Sequence, residues 1–348
     1  MQTIIRKVDE NCIDEMIMKE AGALLKQGAL VAFPTETVYG LGANALDSEA
    51  AAKIYAAKGR PSDNPLIVHI ADMDALPLIT AEIPEAAKKL AAKFWPGPLT
   101  MVMKKSEVVP YGTTGGLDTV AVRMPAHPIA LEMIRHGGGY IAAPSANTSG
   151  RPSPTLASHV ADDMDGIVPL ILDGGAVGIG IESTIVDLTD EIPTILRPGF
   201  ITKEMLQEVM GEVQIDKGLD ADSKTPPKAP GMKYRHYAPK AELMIVEGSS
   251  EAVVAKINAL VKENEEKGIC TGIIGTEETI SRYPTGIVKC MGTRSDELSI
   301  SSHLYGILRE FDESDAQVIY SESFEEGAMG SAIMNRLLKA AGHKIIHV

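Results

Sequence analysis

Four polar segments carry side chains able to do chemistry, and each borders an apolar run. PTETVYGLGANA (34–45) places Thr35, Thr37, Tyr39, Gly40 and Gly42 directly after ALVAF (29–33). Ligands often bind where strands of an open α/β sheet end, although a plain turn gives the same pattern. KGRPSDNP (58–65) puts Lys58 and Arg60 on either side of a glycine, with Asn64 just beyond. A helix dipole accounts for one cation at a C-terminus, worth about 0.3–1 kcal/mol. Two cations flanking a glycine in a rigid loop suit polyphosphate, Arg as a planar fork and Lys as a compact charge. APSANTSGRPSP (143–154) crowds Ser145, Asn147, Thr148, Ser149, Arg151 and Ser153 into one loop. Such residues commonly satisfy their own turns, but one turn needs fewer of them. In GGAVGIGIESTIVDL (174–188), Ser183 and Thr184 are strand hydroxyls or ligand contacts. Gly178 and Gly180 read as a bulge or a tight approach between strands. Arg123 ends TVAVR (119–123), where alternation turns it away from Val120 and Val122 and toward a crevice. Arg197, in LRPG (196–199), is a second strand-end arginine. His69, alone in PLIVHI (65–70), reads from its own surroundings as a satisfied core residue.

The chain contains no GxxxxGK[ST] loop, HExxH, GxSxG or CxxC motif. These residues by themselves point to an ATP- or polyphosphate-using enzyme without a P-loop. Net charge is −14, from 33 basic and 47 acidic residues, a balance that disfavours a surface built throughout for nucleic acid. The exception is local: Lys224–Lys240 holds five Lys or Arg residues and no acid. Cys12, Cys270 and Cys290 are too scattered for a disulfide framework or a zinc motif and read as buried small hydrophobes in a reducing compartment. MQTIIRKVDE turns acidic before any apolar run, and no apolar run reaches the ~18 residues of a membrane span. The expected setting is the cytoplasm, with no membrane partner.

The elements that must position these groups come in two styles. Residues 11–27 place Ile13, Met16, Ile17, Ala21 and Leu24 on one helical face, capped by Asn11 and closed by Gly28. Further helices are expected at 48–57, with Ser48 as cap, and at 84–95. Strands are expected at 29–33, 65–70, 99–103, 119–123, 140–144, 170–172 and 184–188. Strands outnumber the intervening helices, which predicts a mixed sheet with helices packed on it. Residues 208–240 are rich in Pro, Gly and charge and read as a linker. Beyond them β and α elements alternate: strands at 242–246, 271–275, 287–290, 317–320 and 344–348, helices at 250–266 and 328–341, and a helical stripe of Leu304, Ile307, Leu308 and Phe311. That predicts a small doubly wound domain. It opens without GxGxxG, so no nucleotide site is expected there.

The segments PTETVYGLG, KGRPSDNPL, APSANTSGRPSPT and GIESTIVDL, in this order and with FWPGPLT (94–100), VAVRMP (120–125) and LRPG, resemble the YrdC/Sua5 family. PGMKYRHYAPK (230–240) is similar to the linker of the family's long form, and 241–348 to its C-terminal domain. The resemblance implies a YrdC-like catalytic domain at 1–207 with a twisted mixed sheet, a linker or lid at 208–240, and a smaller Rossmann-like α/β Sua5 domain at 241–348. It implies a nucleotidyltransferase that makes L-threonylcarbamoyladenylate and pyrophosphate from L-threonine, bicarbonate and ATP with Mg²⁺, the first step of a tRNA adenosine modification. The product would pass to the tRNA threonylcarbamoyl transferase machinery. The family's KxR and SxN pairs fall on Lys58, Arg60, Ser145 and Asn147 as catalytic residues. Thr37, His69, Arg123, Ala143 and Ser183 match threonine-binding positions, which replaces the core reading of His69. Arg60, Asn64, Thr119, Ser145, Ser153, Arg197 and Tyr234 match ATP-binding positions. No metal ligand from a protein side chain is implied. Two other readings stand beside it. One is a double-stranded-RNA or tRNA-binding protein using the same hollow, with RNA binding weak in so acidic a chain. The other is a carbamoyl-phosphate-using transferase, whose usual acylphosphatase and zinc-finger segments this chain lacks.

Overall fold

The computed structural model describes residues 2–216, 237–324 and 327–348. The described residues divide into two compact units: one holds 2–216 apart from Gly150–Pro152 and Ile179–Ile181, the other holds those two pieces and the residues from 237 on.

In the first unit the order is β1 (Ile4–Lys7), α1 (Glu15–Lys26), β2 (Val31–Phe33), β3 (Gly40–Asn44), α2 (Ser48–Lys58), β4 (Ile67–His69), α3 (Leu76–Ile79), α4 (Glu85–Phe94) and β5 (Leu99–Lys104). It continues with α5 (Tyr111–Thr114), β6 (Thr119–Arg123), α6 (Pro128–His136), β7 (Ile141–Ala142), α7 (Ala157–Met164), β8 (Leu170–Asp173), β9 (Thr184–Asp187), β10 (Thr194–Arg197), α8 (Lys203–Met210) and β11 (Gln214–Ile215). The strands form one mixed sheet in the order β1-β8-β2-β3-β7-β4-β6-β5-β9-β10-β11. Alternate residues of β2 feed two cores. Val31 and Phe33 pack with Met18, Leu25, Ile129 and Met133 of α1 and α6. Ala32 joins Ile54, Leu90, Phe94 and Val160 of α2, α4 and α7.

The second unit runs β12 (Glu242–Glu247), α9 (Ser250–Glu266), β13 (Thr271–Gly275), β14 (Ile287–Cys290), α10 (Glu297–Asp312), β15 (Val318–Glu322), α11 (Gly330–Ala341) and β16 (Ile345–His347). Its five strands are all parallel, in the order β14-β13-β15-β12-β16. Val253, Val254, Ile257 and Val261 of α9 pack on Ile273 and Tyr320.

Several local expectations need correction. Helix α1 starts at Glu15, capped by Asp14, which accepts from the Met16 amide; Asn11 instead closes a turn on Asp9. Its buried face is Met18, Ala21, Gly22 and Leu25, and Met16 is 71% exposed. The stripe is displaced because Gly22 faces inward: a Cβ there would lie 2.4 Å from the His136 carbonyl oxygen of α6. Helix α2 is capped by Asp47, not Ser48. The strand expected at 140–144 is only two residues long. Part of the segment taken as a polar turn is strand β3, whose Gly40 lies against Phe33: a Cβ at Gly40 would stand 2.9 Å from the ring. Gly178 and Gly180 lie between β8 and β9 rather than in paired strands. Cys12 is exposed, and Cys270 and Cys290 are only partly buried. Elements β1, α3, α5, α6, α7, α8 and β11 have no counterpart among the elements expected from the sequence. Among the described residues no helix is long and apolar enough to cross a membrane.

Candidate active site

Strand pairing brings three candidates of the first unit, His69, Arg123 and Arg197, into one row. His69 of β4 pairs with Arg123 of β6, Arg123 with Thr100 of β5, Thr100 with Ile185 of β9, and Ile185 with Arg197 of β10. On the other side His69 pairs with Ile141, and the Ala143 amide donates to the Ile67 carbonyl at 2.9 Å. Ser145 bridges to Gly40. Residues scattered from 69 to 197 therefore stand on consecutive strands.

Arg123 is 4% exposed. Its Nε donates to the Gly97 carbonyl at 3.3 Å and one terminal nitrogen donates to Thr37 Oγ1 at 3.0 Å. The other terminal nitrogen lies 2.7 Å from Glu36 Oε2, a contact of charges whose angles do not make a hydrogen bond. Thr35 Oγ1 donates to the Val38 carbonyl at 2.7 Å, so the 2.8 Å contact between the two threonine hydroxyls is a donation from Thr37. A hydroxyl has one proton and two acceptor sites. Thr37 thus keeps one acceptor site open.

His69 is buried edge-on to Phe33, their rings 6.1 Å apart, and its Nδ1 lies 3.1 Å from the Ile67 carbonyl. Burial, then the charge of Arg123, pushes its pKa down to about 3, so the imidazole is neutral at any physiological pH. On the far side of Arg123, Ser183 Oγ meets Thr100 Oγ1 at 2.7 Å and accepts from Arg197 at 3.2 Å, while Arg197 Nε donates to the Ser183 carbonyl at 3.0 Å. Ser153, fully buried, donates to Glu182 Oε1 at 2.6 Å.

The cationic loop folds back on itself. Lys58, 2% exposed, donates from Nζ to the Ser145 carbonyl, to the Asn147 carbonyl at 2.5 Å, and to Asn147 Oδ1 at 3.4 Å. Ser145 Oγ donates to that same Oδ1 at 2.6 Å. The Ser149 amide returns to the Lys58 carbonyl at 2.8 Å. Lys58 and the Ser145–Asn147 pair thus form one unit, with the ammonium as its staple. Arg60 donates to the Asn64 and Pro65 carbonyls at 3.4 and 3.1 Å, and Tyr55, its pKa pushed up to about 12 by burial, donates to the Asn64 carbonyl at 3.2 Å. Asn64 Oδ1 is buried without a hydrogen-bond partner. Thr119 is half-buried at the start of β6. Tyr234 and residues 224–236 of the expected lid lie outside the described residues. Glu36, Thr100 and Glu182 escaped the sequence reading. Among the described residues no group of three or more His, Cys, Asp or Glu could hold a metal ion.

Residues 23–199 match the family model described as "Telomere recombination" (Sua5_yciO_yrdC), and residues 201–342 match "Threonylcarbamoyl-AMP synthase, C-terminal domain". The chain belongs to the Sua5 family of threonylcarbamoyl-AMP synthases. It is 51% identical to the threonylcarbamoyl-AMP synthase of Bacillus subtilis, over 97% of this chain and 96% of that one. It is equally 51% identical to the enzyme of Pyrococcus abyssi, over 99% and 100%. The structure is similar to a crystal structure of P. abyssi Sua5 complexed with L-threonine, with a TM-score of 0.94 and 50% identity over 99% of this chain and 100% of that one. The family relation fixes the α/β architecture of both sheets and the enzyme class. It also removes the RNA-binding and carbamoyl-phosphate readings as the chain's principal function.

Proposed function

We propose that the polar row of the first unit condenses L-threonine, bicarbonate and ATP into L-threonylcarbamoyladenylate and pyrophosphate. The observation that supports this most is the likeness, along nearly the whole chain, to a Sua5 protein with L-threonine bound. The threonine amine forms a bond to the bicarbonate carbon and water leaves, giving N-carboxythreonine. An oxygen of that carbamate then bonds to the α-phosphorus while the bond from that phosphorus to the bridging oxygen breaks, and pyrophosphate departs. No protein nucleophile takes part. Two anions must meet, so catalysis consists of positioning and preorganised charge.

Threonine rests against Thr37, His69, Arg123, Ala143 and Ser183. The guanidinium of Arg123 matches the carboxylate, and the open acceptor site of Thr37 suits the amine or hydroxyl. Neutral His69 adds no competing charge. ATP lies along Arg60, Asn64, Thr119, Ser145, Ser153 and Arg197. Ser153 gives its proton to Glu182, so it meets ATP as an acceptor. Lys58 positions Ser145 and Asn147 and, with Arg60, offsets phosphate charge. Mg²⁺ would be held by phosphate oxygens and water, where it would offset charge on the phosphates. The product is a labile mixed anhydride, consumed by the cytoplasmic tRNA threonylcarbamoyl transferase machinery. RNA contact by so acidic a chain is weak and falls with salt.

The test is incorporation of labelled bicarbonate with threonine, serine or valine as the amino acid. Serine should lose about 1–3 kcal/mol, and valine, which leaves hydroxyl partners unpaired, far more. Comparable incorporation with valine and threonine would refute a threonine pocket.

A further inference from the structure

Glu36 stands between Thr35 and Thr37, the two hydroxyls that organise the seat of Arg123, yet neither the motif reading nor the reaction assigns it a task. Its side chain is 15% exposed, and both of its carboxylate oxygens are buried without a hydrogen-bond partner. A charged group left so is costly, since a buried polar atom without a partner loses its hydration and gains no hydrogen bond in return. What compensates it is one guanidinium nitrogen of Arg123 at 2.7 Å, and that nitrogen too lacks an aligned acceptor. The rest of the Arg123 fork is well placed, on Gly97 and Thr37. The fork is therefore held by the fold at two nitrogens and offers its third to a carboxylate that fits poorly. Close by, His127 Nδ1 is also buried without a partner, and the charges of Glu10 and Glu36 act on that ring against the downward pull of burial on its pKa.

We infer that Glu36 is an internal stand-in for the substrate carboxylate: it occupies Arg123 while the amino-acid seat is empty and yields it when threonine arrives. The inference rests on the threonine reading above and deepens it. Charge bookkeeping supports the exchange. The buried arginine keeps one carboxylate neighbour in both states, so the empty enzyme never holds Arg123 unneutralised, and the incoming carboxylate never faces an added negative charge at the same nitrogen. Glu36 is then a specificity-determining residue. A ligand without a carboxylate leaves Glu36 on Arg123 and gains nothing there, whereas threonine gains a better-aligned partner than the one it removes. The cost is affinity. Threonine binds a seat that is occupied most of the time, and its apparent Kd is raised by the inverse of the vacant fraction.

The sign of the mutational effect separates this role from a structural one. Titration calorimetry of L-threonine into the full-length protein, without ATP, measures binding apart from turnover. Glu36→Gln removes the competing charge and should lower the Kd roughly 5- to 150-fold, the usual range of coupling between linked equilibria. Threoninamide should show no such gain. Wild-type binding of threonine with an unchanged or weaker Kd in Glu36→Gln would overturn the stand-in while leaving the threonine reading intact. Failure of the wild-type protein to bind threonine at all would overturn both. A structure of the wild-type chain with threonine needs no variant. Glu36 should then be displaced from Arg123, with the threonine carboxylate in its place; Glu36 still within 4 Å of that nitrogen would contradict the proposal.

Discussion

Glu322 and Glu36 are both acids set against a guanidinium, one in each unit, and they differ in what else touches them. Glu322, 1% exposed, accepts from Thr279 at 2.5 Å and Tyr283 at 2.7 Å on one oxygen and from Arg294 at 2.6 Å on the other. Glu36 has its Arg123 contact and no hydrogen bond. The charge pairing is alike; hydrogen-bond satisfaction is not. A fully bonded buried network rigidifies a fold, whereas buried polar atoms with unmet capacity call for another explanation. In the first unit those atoms (on Glu36, Arg123, Asn64 and His127) cluster with the residues that the motifs single out. The parallel sheet of the second unit carries instead the closed Glu322 network and a second one, in which Asn264 donates to Thr271 and Tyr320.

Substitutions test the difference between the two acids and the site beside one of them. The largest effect is expected at Lys58. Lys58→Ala removes the ammonium that staples the Ser145–Asn147 loop, and turnover should fall roughly 10²- to 10³-fold, since small misplacements of reacting groups and lost charge stabilisation each cost on that scale. Near-normal turnover with a lowered melting temperature would reduce Lys58 to a structural tie. Next is Glu322→Gln. Arg294 and both hydroxyl donors lose their charged acceptor, so stability should drop by about 1–3 kcal/mol in denaturant titration, while the threonine Kd stays as in the wild type. A loss of threonine affinity with intact folding would erase the distinction between the two acids.

A smaller effect concerns His69. Its folded pKa, about 3, lies below the unfolded value of 6.5. Below pH 6.5 the unfolded chain takes up a proton that the folded protein refuses, so stability is fully present above that pH and is lost as pH falls toward 3. Between pH 6.5 and 5.5 this one residue should cost about 1 kcal/mol. His69→Gln should flatten that part of the stability profile. An unchanged slope would mean that other groups carry it.

Both strand-end arginines were legible in the sequence because each closes an apolar run, and in TVAVR alternation also sets the direction of Arg123. The sequence announced Ser145 and Asn147 as a polar excess, but not that Lys58 binds them, since 87 residues separate the two parts of that clamp. Glu36 was in plain view within PTETVYG. An acid beside a site read for anions has no reason to be chosen until the fold puts it on Arg123. The displaced face of α1 has a similar cause. Apolar periodicity passes over Gly22, and only the close approach of α6 shows that its missing side chain is what the contact requires. Strand β3 was hidden for the same reason, its glycines fitting against Phe33 where a propensity scale sees a turn.

Which bond of ATP breaks decides the mechanism. Incubating the protein with ATP labelled at the α-phosphorus, together with threonine, bicarbonate and Mg²⁺, and separating the products should give labelled threonylcarbamoyladenylate with an equal amount of pyrophosphate. None should form when bicarbonate is left out. ADP and orthophosphate as the main products, or an adenylate formed equally well without bicarbonate, would contradict it.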